Sequence, residues 1–236
     1  MRVCYDTSKR IAGFDFFLWL VVQKALGATR VEIDRRSPKT DKWPRAIVQR
    51  RIDSIIMPGP ALAGLPCTEG EWGKELTFGD QHDVVARAQA GLQLQPLQTV
   101  LPPGRERYTV TLRTTQRNPG RNSEELTWRA FAAEIGARVI PDYDEEPIEL
   151  HERMALYAGA DMNFFVTNGP SILCLLSEYP AMCFDLQHGG LSHLGVPQGQ
   201  GYPFLKPQHQ QIYESPTPEN IRRHFKAWLE SRETTA

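Results

Sequence analysis

Residues 147–185 constrain the fold more than any other stretch. They read in order as an amphipathic helix, an apolar strand, the turn Asn168-Gly169-Pro170-Ser171, a short apolar helix and a second apolar strand ending at Asp185. Two neighbouring strands joined through a helix run parallel, because a crossover returns the chain to the end of the sheet where it started. Parallel sheets are covered on both faces, so their strands are continuous apolar runs, as MNFFV and AMCF are. A turn that leaves such a strand and opens a helix presents backbone N–H groups and the positive end of the helix dipole, a setting that holds phosphate. Within it Gly169 permits close approach, Pro170 presets the first helical turn and Ser171 offers an O–H.

The same alternation extends along the chain. Strands are expected at residues 2–6, 30–34, 54–57, 108–113, 138–140, 162–167 and 181–185, with helices at 14–26, 42–51, 82–92, 148–158, 171–178 and 218–231. A further helix, capped by Ser123 and opened by Glu124 and Glu125, runs to Gly136. Pro102-Pro103-Gly104 is the clearest break, and residues 187–215, rich in Gly, Pro and Gln, read as a long loop. The expected fold is α/β, with two Rossmann-like parallel-sheet domains facing a cleft: an N-terminal domain over 1–102 and a C-terminal one over 103–216. Residues 217–236 form a last helix with Ile221, Phe225, Trp228 and Leu229 on one stripe.

Composition narrows the class of function. With a formal net charge of −1 over 236 residues, no global field draws the chain to nucleic acid or to an anionic membrane. Cys4, Cys67, Cys174 and Cys183 show no CxxC spacing, which argues against structural zinc and suits a reducing, cytoplasmic setting. The N-terminus reads as a strand rather than a signal peptide, and the apolar run from Phe14 to Leu26 is too short to span a bilayer. No P-loop, Ser-His-Asp set or zinc motif is present.

The segment ALYAGADMNFFVTNGPSILCLLSEYPAMCFD resembles the sugar-nucleotide half of the two-Rossmann-domain (GT-B type) glycosyltransferases, in the order found in bacterial heptosyltransferases and surface-polysaccharide transferases. The stretch VTLRTTQRNPGRNS is similar to the first strand and loop of the nucleotide-binding half of fucosyltransferase-like proteins, where an arginine faces the diphosphate. The resemblance covers residues 107–187 and implies a compact GT-B fold. It also implies an N-terminal acceptor side, a C-terminal nucleotide-sugar side and a final helix that crosses back to brace the first domain. The glutamate that grips a ribose in the family has no clear counterpart; Glu178 lies late in its helix.

On this reading the donor phosphates meet Arg113, Arg117, Asn168, Gly169, Pro170 and Ser171, with Arg121 further along the same loop. The base that deprotonates an acceptor hydroxyl is Asp15, at the start of the helix after the first strand, or Asp6, at the end of that strand. His188 and His193 lie in the glycine loop beside the cleft, and the acidic run Asp142, Asp144, Glu145, Glu146 follows a strand end. No metal or other cofactor is expected; a nucleotide-diphosphate sugar is the substrate, and the acceptor is a glycan, a lipid-linked sugar or a modified nucleobase. The rival readings are a nucleotide-sugar epimerase on the same architecture and a non-catalytic nucleotide- or glycan-binding protein.

Overall fold

The computed structural model describes residues 1–10, 12–41, 43–70, 81–114, 119–141, 148–184, 196–197 and 199–233, with only the backbone at 81, 82 and 121. The chain is α/β with two sheets, and every strand pair among the described residues is parallel. The first sheet has the order β1 (Arg2–Asp6), β2 (Arg30–Asp34), β3 (Cys67–Glu69). The second has the order β5 (Arg138–Ile140), β4 (Tyr108–Thr111), β6 (Met162–Val166), β7 (Ala181–Phe184), β8 (His209–Ile212).

The third strand is not where it was expected. Residues 54–57 continue a helical run: α2 (Arg45–Arg51) passes into a π-helical turn over Ile52–Ile56, closed by Met57 N–H to the Ile52 carbonyl at 2.9 Å. The β-branched pair Ile55-Ile56 suggests a strand, but Val48, Ile52, Ile55 and Ile56 are all buried at helical spacing. Pro58 and α3 (Gly59–Leu62) follow, and the edge strand forms at Cys67–Glu69 instead. The loop expected over 187–215 also contains β8, whose sequence HQQI has no apolar alternation to betray it.

Helices cover both faces of the second sheet. On one face, α5 (Glu125–Ile135) and α8 (Pro218–Glu233) pack over Tyr108, Val110, Phe164, Met182 and Phe184. On the other, α6 (Leu150–Gly159) and α7 (Ser171–Leu175) pack over Ile140, Phe165 and Cys183. That second layer is continuous with the core of the first sheet: Phe16, Phe17 and Trp19 of α1 (Phe16–Ala25) belong to the same buried cluster as Leu173 and Leu175 of α7. The two halves therefore share this layer of the core, while the α5–α8 face of the second sheet has its own.

The proline-rich join is fastened across that core. Leu97 is buried and donates its N–H to the Leu176 carbonyl at 2.7 Å, Gln98 N–H reaches the Leu62 carbonyl at 2.8 Å, and Thr99 N–H reaches the Tyr179 hydroxyl at 2.7 Å. The last helix differs from expectation as well. It lies on the second sheet, with Phe225 edge-on to Tyr108 and Phe131, and Arg222 paired with Glu134 of α5 at 2.8 Å. The stripe Ile221, Phe225, Trp228 matches the exposed edge of the aromatic layer there, so it is buried locally rather than against the first sheet.

β8 carries a titratable group in the fold. His209 is buried, and its Nδ1 accepts the Lys206 N–H at 3.1 Å. Burial pushes the imidazole down to about 4, against an ordinary value of 6.5. The unfolded chain thus binds more protons between those values, so stability is full above about pH 6.5 and falls as pH drops toward 4. Urea unfolding at pH 7 and pH 4.5 is expected to show a loss on the order of 2–3 kcal/mol from this group, and His209→Gln is expected to remove that part of the slope.

Candidate functional site

The strand order of the second sheet locates a candidate site. The chain lays down β4, steps to one side for β5, then crosses back over β4 to lay down β6, β7 and β8 in sequence. Counted from β4 this is the order 2-1-3-4-5, whose switch point lies between the first and third strands, β4 and β6. The loops at the carboxyl ends of those two strands lead to α5 and α7 on opposite faces of the sheet, the position where open α/β sheets bind ligands. Thr111 is opposite Phe165, the last pair between the two strands, and Arg113 and the Asn168–Ser171 turn follow within a few residues of those strand ends.

Arg113 is held firmly. Its N–H donates to Ser123 Oγ at 2.9 Å, its carbonyl accepts the Ser123 N–H at 2.8 Å, and its guanidinium Nη1 donates to Asn122 Oδ1 at 2.7 Å. Ser123, expected to cap α5, instead ties this loop back to the end of β4. The cap is Glu124, whose carboxylate accepts the Thr127 N–H at 2.7 Å; that bond holds the carboxyl below its usual range.

The Asn168–Ser171 turn is more self-contained than its sequence suggests. Asn168 Oδ1 accepts the Ser171 N–H at 3.0 Å, and the Ser171 hydroxyl donates to the Asn168 carbonyl at 2.7 Å. Ser171 is buried, so both its amide and its hydroxyl are used in capping α7. Pro170 has no N–H. The donors left among the described residues are the Asn168 and Gly169 amides and the Asn168 side-chain Nδ2, which is buried with no acceptor among those residues. With only five residues, α7 adds a weak dipole, so Arg113 would carry most of the charge compensation.

The first sheet meets the second at this turn. A Cβ on Gly169 would lie 2.9 Å from Phe14 Cδ2, so the close approach that glycine permits is taken on that side by the Phe14 ring. Asp15, the next residue, is exposed at the start of α1 and makes no side-chain cap bond to the helix. Asp6 is placed differently. It accepts the Ser8 N–H at 2.9 Å and the Ser8 hydroxyl at 2.6 Å, and Lys9 Nζ lies 3.2 Å away. Burial pushes its carboxyl up, but those bonds outweigh burial and hold it below the usual range.

A polar chain missed by the sequence reading runs under the switch point. Thr111 and Tyr157 hydroxyls lie 3.0 Å apart, and the wholly buried Arg153 donates to Tyr157 Oη at 3.2 Å and to the Pro141 carbonyl at 3.4 Å. Beneath it, Thr109 Oγ1 donates to Asn163 Oδ1 at 2.6 Å. These residues are scattered through apolar strands and one helix, and only the helical spacing of Arg153 and Tyr157 hinted at a shared face.

Arg117, His188, His193 and the acidic run 142–146 lie outside the described residues, as does the side chain of Arg121. Among the described residues no group of three His, Cys, Asp or Glu side chains stands together to hold a metal, and no helix is long and apolar enough to cross a membrane.

No known protein family matches the chain, and no curated protein matches it. Among solved structures it is similar to E. coli heptosyltransferase WaaC with ADP, at 13% sequence identity and a TM-score of 0.48, over 96% of this chain and 99% of that chain.

Proposed function

We propose that this chain is a glycosyltransferase that takes a nucleotide-diphosphate sugar and passes the sugar to a hydroxyl acceptor. What supports the reading is topology: Arg113 and the Asn168 and Gly169 amides follow the carboxyl ends of β4 and β6, the two strands that flank the switch point. A guanidinium and amide N–H groups fixed there compensate the charge that builds on a departing diphosphate. Asn122 and Ser123 hold the Arg113 loop before any ligand arrives, so little ordering is left to the moment of reaction.

The acceptor hydroxyl needs a base, and Asp15 suits that role better than Asp6. Asp15 is exposed and adjoins Phe14, which touches the donor turn. Bonds from Ser8 and Lys9 hold the Asp6 carboxyl below its usual range against the effect of burial, which makes it a weak proton acceptor. One observation favours a second reading, a nucleotide binder without turnover: Ser171 is spent on its own helix and Phe14 covers part of the turn.

The two readings separate in one series. Thermal shift with ADP, GDP, UDP and CDP is expected to give stabilisation by at least one of them, amounting to about 2.7 kcal/mol at one hundred times Kd. Arg113→Ala is expected to raise that Kd at least roughly tenfold, through loss of a charge-assisted contact. With the matching nucleotide sugar and a panel of hydroxyl acceptors, Asp15→Asn is expected to lower kcat by about 10² or more with little change in donor KM. Binding without turnover would favour the binder. Absence of binding by every nucleoside diphosphate would remove the donor site altogether.

A further inference from the structure

The first sheet carries a groove that the switch-point reading does not use. It follows β2, has a volume of about 570 Å³, and is lined by Arg36, Ser37, Thr40, Asp41, Trp43 and Arg45, with Pro38 and Pro44 between them. Its size is that of a small-molecule site.

The loop that forms it is braced at several points. Arg36 donates to both carboxylate oxygens of Asp34, at 3.1 and 2.6 Å, which holds the Asp34 carboxyl below its usual range. Lys39 N–H donates to the Thr7 carbonyl at 2.7 Å, and Lys39 Nζ lies 3.1 Å from Asp41. The Trp43 ring is held by Arg51, whose guanidinium carbon stacks 4.2 Å from the ring centroid. The two proline residues restrict the backbone further. A site fixed in this way loses little entropy on binding.

The charges within the groove are unevenly spent. Arg36 is paired with Asp34 and Asp41 with Lys39. Arg45 is exposed and has neither an ion pair nor a hydrogen bond among the described residues. The Ser37 and Thr40 hydroxyls are likewise without partners among those residues. Among the described residues the lining thus offers one guanidinium without an ion pair and two hydroxyls without partners.

We infer that this groove binds a sugar phosphate. The Arg45 fork matches a phosphate, and the Ser37 and Thr40 hydroxyls match ring hydroxyls. The inference stands apart from the donor-site reading, because it uses the other sheet and none of the same residues.

The test is calorimetric titration of the full chain with glucose 6-phosphate, mannose 6-phosphate and glucose 1-phosphate, beside glucose and inorganic phosphate. At least one hexose phosphate is expected to bind, with glucose and inorganic phosphate each weaker by roughly tenfold or more. Arg45→Glu is expected to weaken hexose phosphate binding by at least about tenfold, and to keep the wild-type melting temperature because the side chain is exposed. Ser37→Ala, at another exposed position, is expected to weaken it by a smaller factor. Three results would overturn the inference: no hexose phosphate binds, inorganic phosphate binds as tightly as the best hexose phosphate, or a folded Arg45→Glu variant binds like the wild type.

Discussion

Gly159→Ala is expected to destabilise the protein by about 3 kcal/mol, a cost of overpacking against groups that cannot turn aside. The cause lies in a backbone contact. A Cβ at position 159 would stand 2.1 Å from the Gly104 carbonyl oxygen, 2.6 Å from its carbon and 2.7 Å from its nitrogen. No rotamer change relieves a clash with main chain, so either α6 or the join must move. Both are anchored: Gly104 N–H donates to the Ala155 carbonyl of α6 at 2.8 Å, and Leu156 and Tyr157 of that helix lie in the shared core. The prediction is sharp because helix propensity alone argues the other way, with alanine favoured over glycine by about 1 kcal/mol. Urea unfolding decides the sign. Gly120→Ala serves as the control, since nothing stands within 4 Å of a Cβ there, and it is expected to change stability by less than about 0.5 kcal/mol.

Phe164→Ala is expected to cost about 3–5 kcal/mol, as the truncation of a fully buried aromatic does. Phe164 is wholly buried in β6, edge-on to Phe131 of α5 at 5.1 Å and to Phe225 of α8 at 5.7 Å. It is the ring on which both covering helices converge. Phe225 is only half-buried, so Phe225→Ala is expected to cost less than Phe164→Ala. A double-mutant cycle between the two should give a coupling of about 0.5–1.5 kcal/mol. Zero coupling would contradict the docking of the last helix on the second sheet.

Much of the architecture was legible because buried parallel strands declare themselves. MNFFV and AMCF are apolar without alternation, and a sheet covered on both faces demands that. The helical layer over 52–56 was misread because two adjacent isoleucines favour a strand locally, while the longer spacing from Val48 that marks a helix carries the decision. β8 was not legible: an edge strand can be polar, and HQQI owes its place to pairing with β7. The Pro-rich join resembles a linker by composition, yet Leu97 and Gly104 fasten it, and neither contact leaves a local signal.

The candidate site was legible in part and for a stated reason. Topology puts strand ends at a switch point, so the strand pattern was enough to put Arg113 after one flanking strand and the Asn168–Ser171 turn after the other. What the sequence did not disclose is how the turn spends its own donors. Ser171 caps through Asn168, and Gly169 accommodates Phe14 from the far end of the chain. The buried chain Arg153–Tyr157–Thr111 was hidden for a similar reason: each member sits in an apolar element, and only tertiary packing joins them.

The most direct test of the central claim is a crystal structure of the protein grown with whichever nucleoside diphosphate stabilises it best. The diphosphate is expected at the carboxyl ends of β4 and β6, with the Arg113 guanidinium and the Gly169 N–H within hydrogen-bonding distance of its oxygens. A nucleotide seated elsewhere, with Arg113 still turned to Asn122 and the 168–169 amides unoccupied, would contradict it.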